Sequence, residues 1–103
     1  ALDEYLALPD AALQAKGEIT LLDVREANEL QSSGKAAGAV HIPLALVALK
    51  AAEDLPKGKR VAVYCAVGGR AGMAAQTLAS MGYEVENIGG FSDWVAAGGA
   101  ISH

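Results

Sequence analysis

Cys65 is the one cysteine of the 103-residue chain and the residue best placed for chemistry. It follows Val61-Ala62-Val63-Tyr64, a run of β-formers that reads as a short buried strand. It precedes Ala66-Val67-Gly68-Gly69-Arg70 and then a helical pattern in which Met73, Ala74, Thr77, Leu78 and Met81 share a core face. Gly82 falls where a C-terminal cap belongs. A thiol between a strand end and a helix start meets unpaired backbone N–H groups and the positive end of the peptide dipoles. Gly68 and Gly69 let the loop turn its N–H groups inward as an anion nest, and Arg70 adds a positive charge at the rim. Such surroundings lower a thiol pKa and hold an anion attached to the sulfur. Cys65 is therefore the candidate nucleophile, and Ala66, Val67, Gly68, Gly69 and Arg70 form its candidate cradle. Valine in place of Gly69 is expected to crowd the nest and to hurt activity more than stability. The competing reading makes Cys65 a small buried hydrophobe, as most free cysteines are; the glycine loop favours chemistry.

Composition narrows the field. A length of 103 residues with 52% apolar content predicts one domain with a modest core, not a disordered chain. Apolar runs are too short to cross a bilayer. A net charge of −4, with no Lys/Arg cluster, argues against nucleic acid or an acidic membrane surface as partner. One cysteine and two histidines offer no intramolecular disulfide and no zinc set, so no metal or cofactor is expected. A free thiol suits a reducing compartment, which predicts the cytoplasm. The chain opens at Ala1 without an initiator Met, read as a removed leader or a trimmed end; a removed leader would make the periplasm the alternative.

The elements that must position the loop follow in chain order. Leu2 to Leu8 reads as a short helical or turn segment, and Ala11 to Lys16 as a second short helix ended by Gly17. Ile19 to Val24 is almost continuously apolar, as a strand covered on both faces should be, and ends in the charged run Asp23-Val24-Arg25-Glu26. A helix is predicted from Glu26 to Gln31, stopped by Ser32-Ser33-Gly34. Gly38 to Pro43 reads as a brief strand, and Leu44 to Asp54 as an amphipathic helix with Pro56 beyond its end. Glu84 to Ile88 is the next strand, broken by Gly89-Gly90. Phe91 to Ala97 is the last helix, carrying Trp94, and Ile101-Ser102-His103 is expected to fray. Strands alternating with helices make an α/β fold with a mostly parallel sheet covered on both faces. Ligands in such sheets sit outside the C-terminal strand ends, where Asp23, Arg25, the Cys65 loop and Gly89-Gly90 all fall.

Four segments in this order resemble the single-domain rhodanese-like sulfurtransferases. Leu22-Asp23-Val24-Arg25-Glu26 is similar to the family's strand-end motif, and Gly38-Ala39-Val40-His41-Ile42-Pro43 to its Gly-Ala-x-Asn-Ile-Pro segment. Cys65-Ala66-Val67-Gly68-Gly69-Arg70-Ala71 resembles the active-site loop, and Gly89-Gly90-Phe91-Ser92-Asp93-Trp94 the closing Gly-Gly-x-x-x-Trp. The resemblance implies a rhodanese-like domain with a central sheet of about five strands. It also implies a cysteine that takes a sulfane sulfur from thiosulfate, a persulfide or a polysulfide and holds it as a persulfide. Cyanide, another thiol or a sulfur-acceptor protein then removes that sulfur. The residues support this chemistry, because an anionic Cys–S–S⁻ group needs N–H donors and the loop supplies them. Four residues separate Cys65 from Arg70, the shorter form of the loop; forms one residue longer resemble those of phosphatases and arsenate reductases. Ala66 and Val67 stand where some relatives carry polar or basic residues, which implies that less charged donors outperform thiosulfate.

Other residues receive structural roles. Asp23 and Arg25 are expected to pair with each other or with Arg70 and so to support the loop. Glu26 reads as a first-turn helix charge, His41 as a hydrogen-bonded structural residue, and Phe91, Trp94, Met73 and Met81 as packing. Gly89-Gly90 suits a close backbone approach beside the loop. The alternative to an enzyme is a sulfur-carrier or regulatory binding module that uses the same cysteine loop without turnover. A thiol redox protein lacks the resolving cysteine.

Overall fold

The computed structural model describes residues 19–96, 98 and 100–102. The segments expected at Leu2–Leu8 and Ala11–Lys16, and His103, lie outside them. Four parallel strands form the central sheet: β1 (Ile19–Asp23), β3 (Val40–His41), β4 (Arg60–Cys65) and β5 (Val85–Gly90), in the order β3-β1-β4-β5. Helix α1 (Ala27–Ser33) follows β1. A 3₁₀ turn at Leu44–Leu46 leads into α2 (Val47–Asp54), α3 (Gly69–Ser80) follows β4, and α4 (Phe91–Ala96) follows β5.

The strands alternate faces with a period of two, so each contributes to both cores. Val61, Val63 and Cys65 point to one side with Leu22 and Val24, and meet Val47 and Ala51 of α2 and Ala71, Ala74 and Leu78 of α3. Ala62 and Tyr64 point to the other side with Ile19 and Leu21, and meet Phe91 and Trp94 of α4. The sheet is thus covered on both faces, as expected for continuous apolar strands. Cys65 belongs to the α2/α3 face and is buried.

Three features depart from the sequence reading. Among the described residues the sheet has four strands where about five were expected, and two further strands pair elsewhere. β2 (Lys35–Ala36) and β6 (Ile101–Ser102) make an antiparallel ribbon, so the expected frayed tail is ordered at these two residues. Trp94 supports it by donating Nε1–H to the Ala100 carbonyl at 2.8 Å. The buried stripe of α3 is Ala71-Ala74-Leu78, which leaves Met73 61% exposed. Ala71, Ala74 and Leu78 recur at helical spacing and line the core face, and Met73 falls outside that stripe. Gly82 adopts φ 96 beyond the end of α3, where the Tyr83 N–H reaches the Leu78 carbonyl at 3.1 Å.

Tyr64 ties the ribbon to the sheet, because its hydroxyl accepts the Ala36 N–H at 2.9 Å in a buried setting. Tyr64→Phe leaves that N–H without its partner and is expected to cost about 1–3 kcal/mol of stability in urea titration. An unchanged midpoint would mean that this hydrogen bond contributes nothing to stability.

Candidate active site

The loop between β4 and α3 is set by backbone constraints. Gly68 immediately precedes α3 at φ 106, a left-handed conformation that favours glycine. Its N–H donates to Cys65 Sγ at 2.9 Å. Its carbonyl accepts the Gly72 N–H at 3.0 Å, the first turn of the helix. Burial opposes ionisation of the Cys65 thiol and is the largest single influence on it. The backbone N–H groups of Ala71, Gly68, Val67 and Arg70 together outweigh it and bring the thiol below its ordinary pKa. Ala71 lies one residue beyond the expected 66–70 segment. Ala71 contributes, while Ala66 turns its carbonyl toward β5.

The two loop glycines have different jobs. A Cβ on Gly69 would meet nothing within 4 Å, so a single carbon there does not crowd the nest. Gly68 is the position that needs glycine because its backbone is left-handed; a Cβ there would make only an ordinary contact with Gly89 Cα at 3.6 Å. Behind the loop, a Cβ on Gly90 would lie 2.8 Å from both the carbonyl carbon of Ala66 and Cα of Val67. The close approach expected at Gly89-Gly90 is thus present at Gly90, although both glycines continue β5 instead of breaking it.

Asn87 braces this arrangement. The β4–β5 register slips between Val63, paired with Asn87, and Tyr64, paired with Gly89. The extra residue forms a bulge. Asn87 Oδ1 accepts the Gly89 N–H at 2.9 Å, and its Nδ2 donates to the Gly68 carbonyl at 3.1 Å. Asp93 Oδ2 accepts the Gly90 N–H at 3.1 Å. Asn87 was missed in the sequence, where the signal was an Asn two residues before the first of two adjacent glycines, the pattern of an Asx turn.

Asp23 and Arg25 pair with each other beneath the site and are both buried. Arg25 Nε lies 3.1 and 3.0 Å from the two carboxylate oxygens, and Nη2 2.8 Å from Oδ2. The guanidinium also donates to Ser33 Oγ at 3.0 Å and to the Gly34 carbonyl at 2.6 Å, and lies 4.2 Å from the Phe91 ring centre. Nearly all its donors are used, the condition for burying a charge without a large penalty. His41 donates Nε2–H to the Arg25 carbonyl at 2.7 Å, the structural role expected of it.

Arg70 pairs with neither of these residues. Its Nη1 and Nη2 donate to the two oxygens of Glu29 at 2.7 and 2.8 Å, a two-point contact across 41 positions of sequence. This bond, more than any other influence, pulls the Glu29 carboxyl down to about 2. It also raises the Arg70 pKa, aided by the nearby Cys65 thiolate. Glu29 Oε2 accepts the Glu26 N–H at 2.7 Å as well, so Glu26 closes a capping box instead of acting as a simple first-turn charge. Beside the loop a cleft of about 380 Å³ is lined by Arg25, Asn28, Glu29, Ser32, Ser33, Ala66, Phe91 and Ser92.

This parallel sheet, with a cysteine loop at the C-terminal end of β4, defines a known class. Residues 9–97 match the family model of the rhodanese-like domain, and the chain belongs to that family. It is 40% identical over 74 residues to the thiosulfate sulfurtransferase PspE of Escherichia coli, a match covering 70% of each chain. It is 31% identical over 97 residues to the putative sulfur carrier protein YrkF of Bacillus subtilis, covering 85% of this chain but only 51% of that one. A rhodanese-related protein from Thermoplasma volcanium superposes with a TM-score of 0.75 at 32% identity, over 89% of this chain and 92% of its own. Among the described residues no helix is long and apolar enough to cross a membrane.

The loop makes a paired expectation. Gly68→Ala should destabilise the protein by about 1–2 kcal/mol and slow alkylation of Cys65, because it strains the left-handed turn that aims the N–H at sulfur. Gly69→Ala should be neutral or stabilising by up to about 1 kcal/mol, with alkylation unchanged. Thermal melts and iodoacetamide kinetics check both, and equal effects at the two positions would contradict the division of labour.

Proposed function

We propose that the protein is a sulfurtransferase that carries sulfane sulfur on Cys65. The observation that carries this reading is the thiol at the end of β4, held 2.9 Å from the Gly68 N–H and met by further backbone donors at the start of α3. The Cys65 thiolate attacks the outer sulfur of a donor such as thiosulfate. An S–S bond forms to Sγ, the donor's S–S bond breaks, and sulfite leaves with the electron pair. The product is Cys65–S–S⁻, whose terminal charge falls among the N–H groups of the loop. Cyanide or a thiolate then attacks the terminal sulfur. The Sγ–S bond breaks, thiocyanate or a new persulfide departs, and the thiolate returns. No metal or redox cofactor takes part in these steps.

Val67, Gly68, Arg70 and Ala71 act through their backbone N–H groups, while Asp23 and Arg25 support the strand end and α1. The 40% identity to a thiosulfate sulfurtransferase supports the reaction class. Likeness to a putative sulfur carrier favours a second reading, in which the same persulfide is handed to one protein partner without multiple turnover. A Cys-dependent phosphatase or arsenate reductase is the least favoured, because four residues separate Cys65 from Arg70 and the nest is built close around the sulfur.

Intact-mass measurement tests the proposal. After thiosulfate or polysulfide, the wild type should gain one sulfur atom, lose it to cyanide and release thiocyanate, while Cys65→Ser gains nothing and remains folded. Many thiocyanates per protein would identify an enzyme, and one would identify a carrier. No gain of sulfur from any donor would sink both.

A further inference from the structure

Two arginines border the Cys65 site, and both are engaged. Arg25 is committed to Asp23, Ser33 and Gly34. Arg70 is paired with Glu29, with both side chains about one-third exposed, and its guanidinium also interacts with Cys65. Apart from Arg25 and Glu29, the wall of the neighbouring cleft is uncharged, formed by Asn28, Ser32, Ser33, Ala66, Phe91 and Ser92. The Glu29 carboxylate is itself held in place, since Oε2 also accepts the Glu26 N–H at 2.7 Å. An incoming anion thus meets a fixed ion pair and not a free cation, and the field of a pair falls off much faster than that of a single charge.

We propose that Glu29 is a charge filter for the Cys65 site, cancelling Arg70 and thereby selecting against dianionic donors such as thiosulfate in favour of donors of lower charge. The statement about donors rests on the sulfurtransferase reading; the filter itself does not. Glu29 touches neither the sulfur nor its N–H donors. It is a positioning and specificity residue that acts through Arg70.

Glu29→Gln removes the charge yet keeps an oxygen for the Glu26 N–H and a hydrogen bond for Arg70, so α1 retains its cap. The readout is the ratio of Cys65 alkylation rates by iodoacetate and iodoacetamide, reagents of similar size that differ by one charge. At low ionic strength E29Q should raise this ratio by about fivefold, and added salt should shrink the gain. Adding R70M to E29Q should return the ratio to the wild-type value or below. The kcat/KM for thiosulfate should rise with E29Q, carried by a lower KM. An unchanged ratio, or both alkylation rates changing in parallel, would overturn the filter and leave Glu29 a purely structural residue. A raised ratio with no persulfide formed on either protein would uphold the filter and overturn the sulfurtransferase reading.

Discussion

The buried pair of Asp23 and Arg25 is the interaction on which the site's surroundings depend. A charged pair at the end of β1, with Asp23 fully buried and Arg25 2% exposed, is tolerable only because almost every donor finds an acceptor. Those acceptors are what organise the neighbourhood. Through Ser33 and Gly34 the guanidinium fixes the end of α1 against the sheet. With α1 so placed, Glu29 reaches Arg70 at the start of α3. Through its aromatic contacts, the same guanidinium packs on Phe91 of α4. One buried charge therefore relates three helices to the strand ends.

At Cys65 two opposing effects are balanced. The thiol sits on the core face of β4, where burial alone would keep it protonated. The loop opposes this by aiming peptide N–H groups at the sulfur, which brings the thiol below its ordinary pKa with little side-chain chemistry. Its shape is held from behind by Gly90, which leaves no room for a Cβ, and by Asn87, which links the β5 bulge to the Gly68 carbonyl. In the sulfurtransferase reading proposed above, the same N–H groups would receive the charge of a persulfide.

Much of this was legible in the residues. The continuous apolar run of Ile19–Val24, the β-formers before Cys65 and the intervening helical patterns specify a parallel sheet, and the strand ends place Asp23, Arg25 and the loop together. What was hidden depends on long-range geometry. Gly68 and Gly69 are adjacent and identical in type, and only the backbone turn shows that φ 106 falls on the first. Met73 matches a helical stripe, but the real contact stripe is Ala71-Ala74-Leu78. The pairing of Glu29 with Arg70 spans 41 positions and depends on where α1 packs, which local patterns do not encode. The ordering of Ile101–Ser102 likewise depends on a partner strand at Lys35–Ala36.

The most direct measurement is a pH titration of the thiolate by its ultraviolet absorbance, with Cys65→Ser as the blank. Backbone donors that outweigh burial should place the midpoint below that of an ordinary cysteine, with the signal absent in the blank. A midpoint at or above the ordinary value would show that burial wins, and Cys65 would then be a packing residue instead of the nucleophile around which the loop is built.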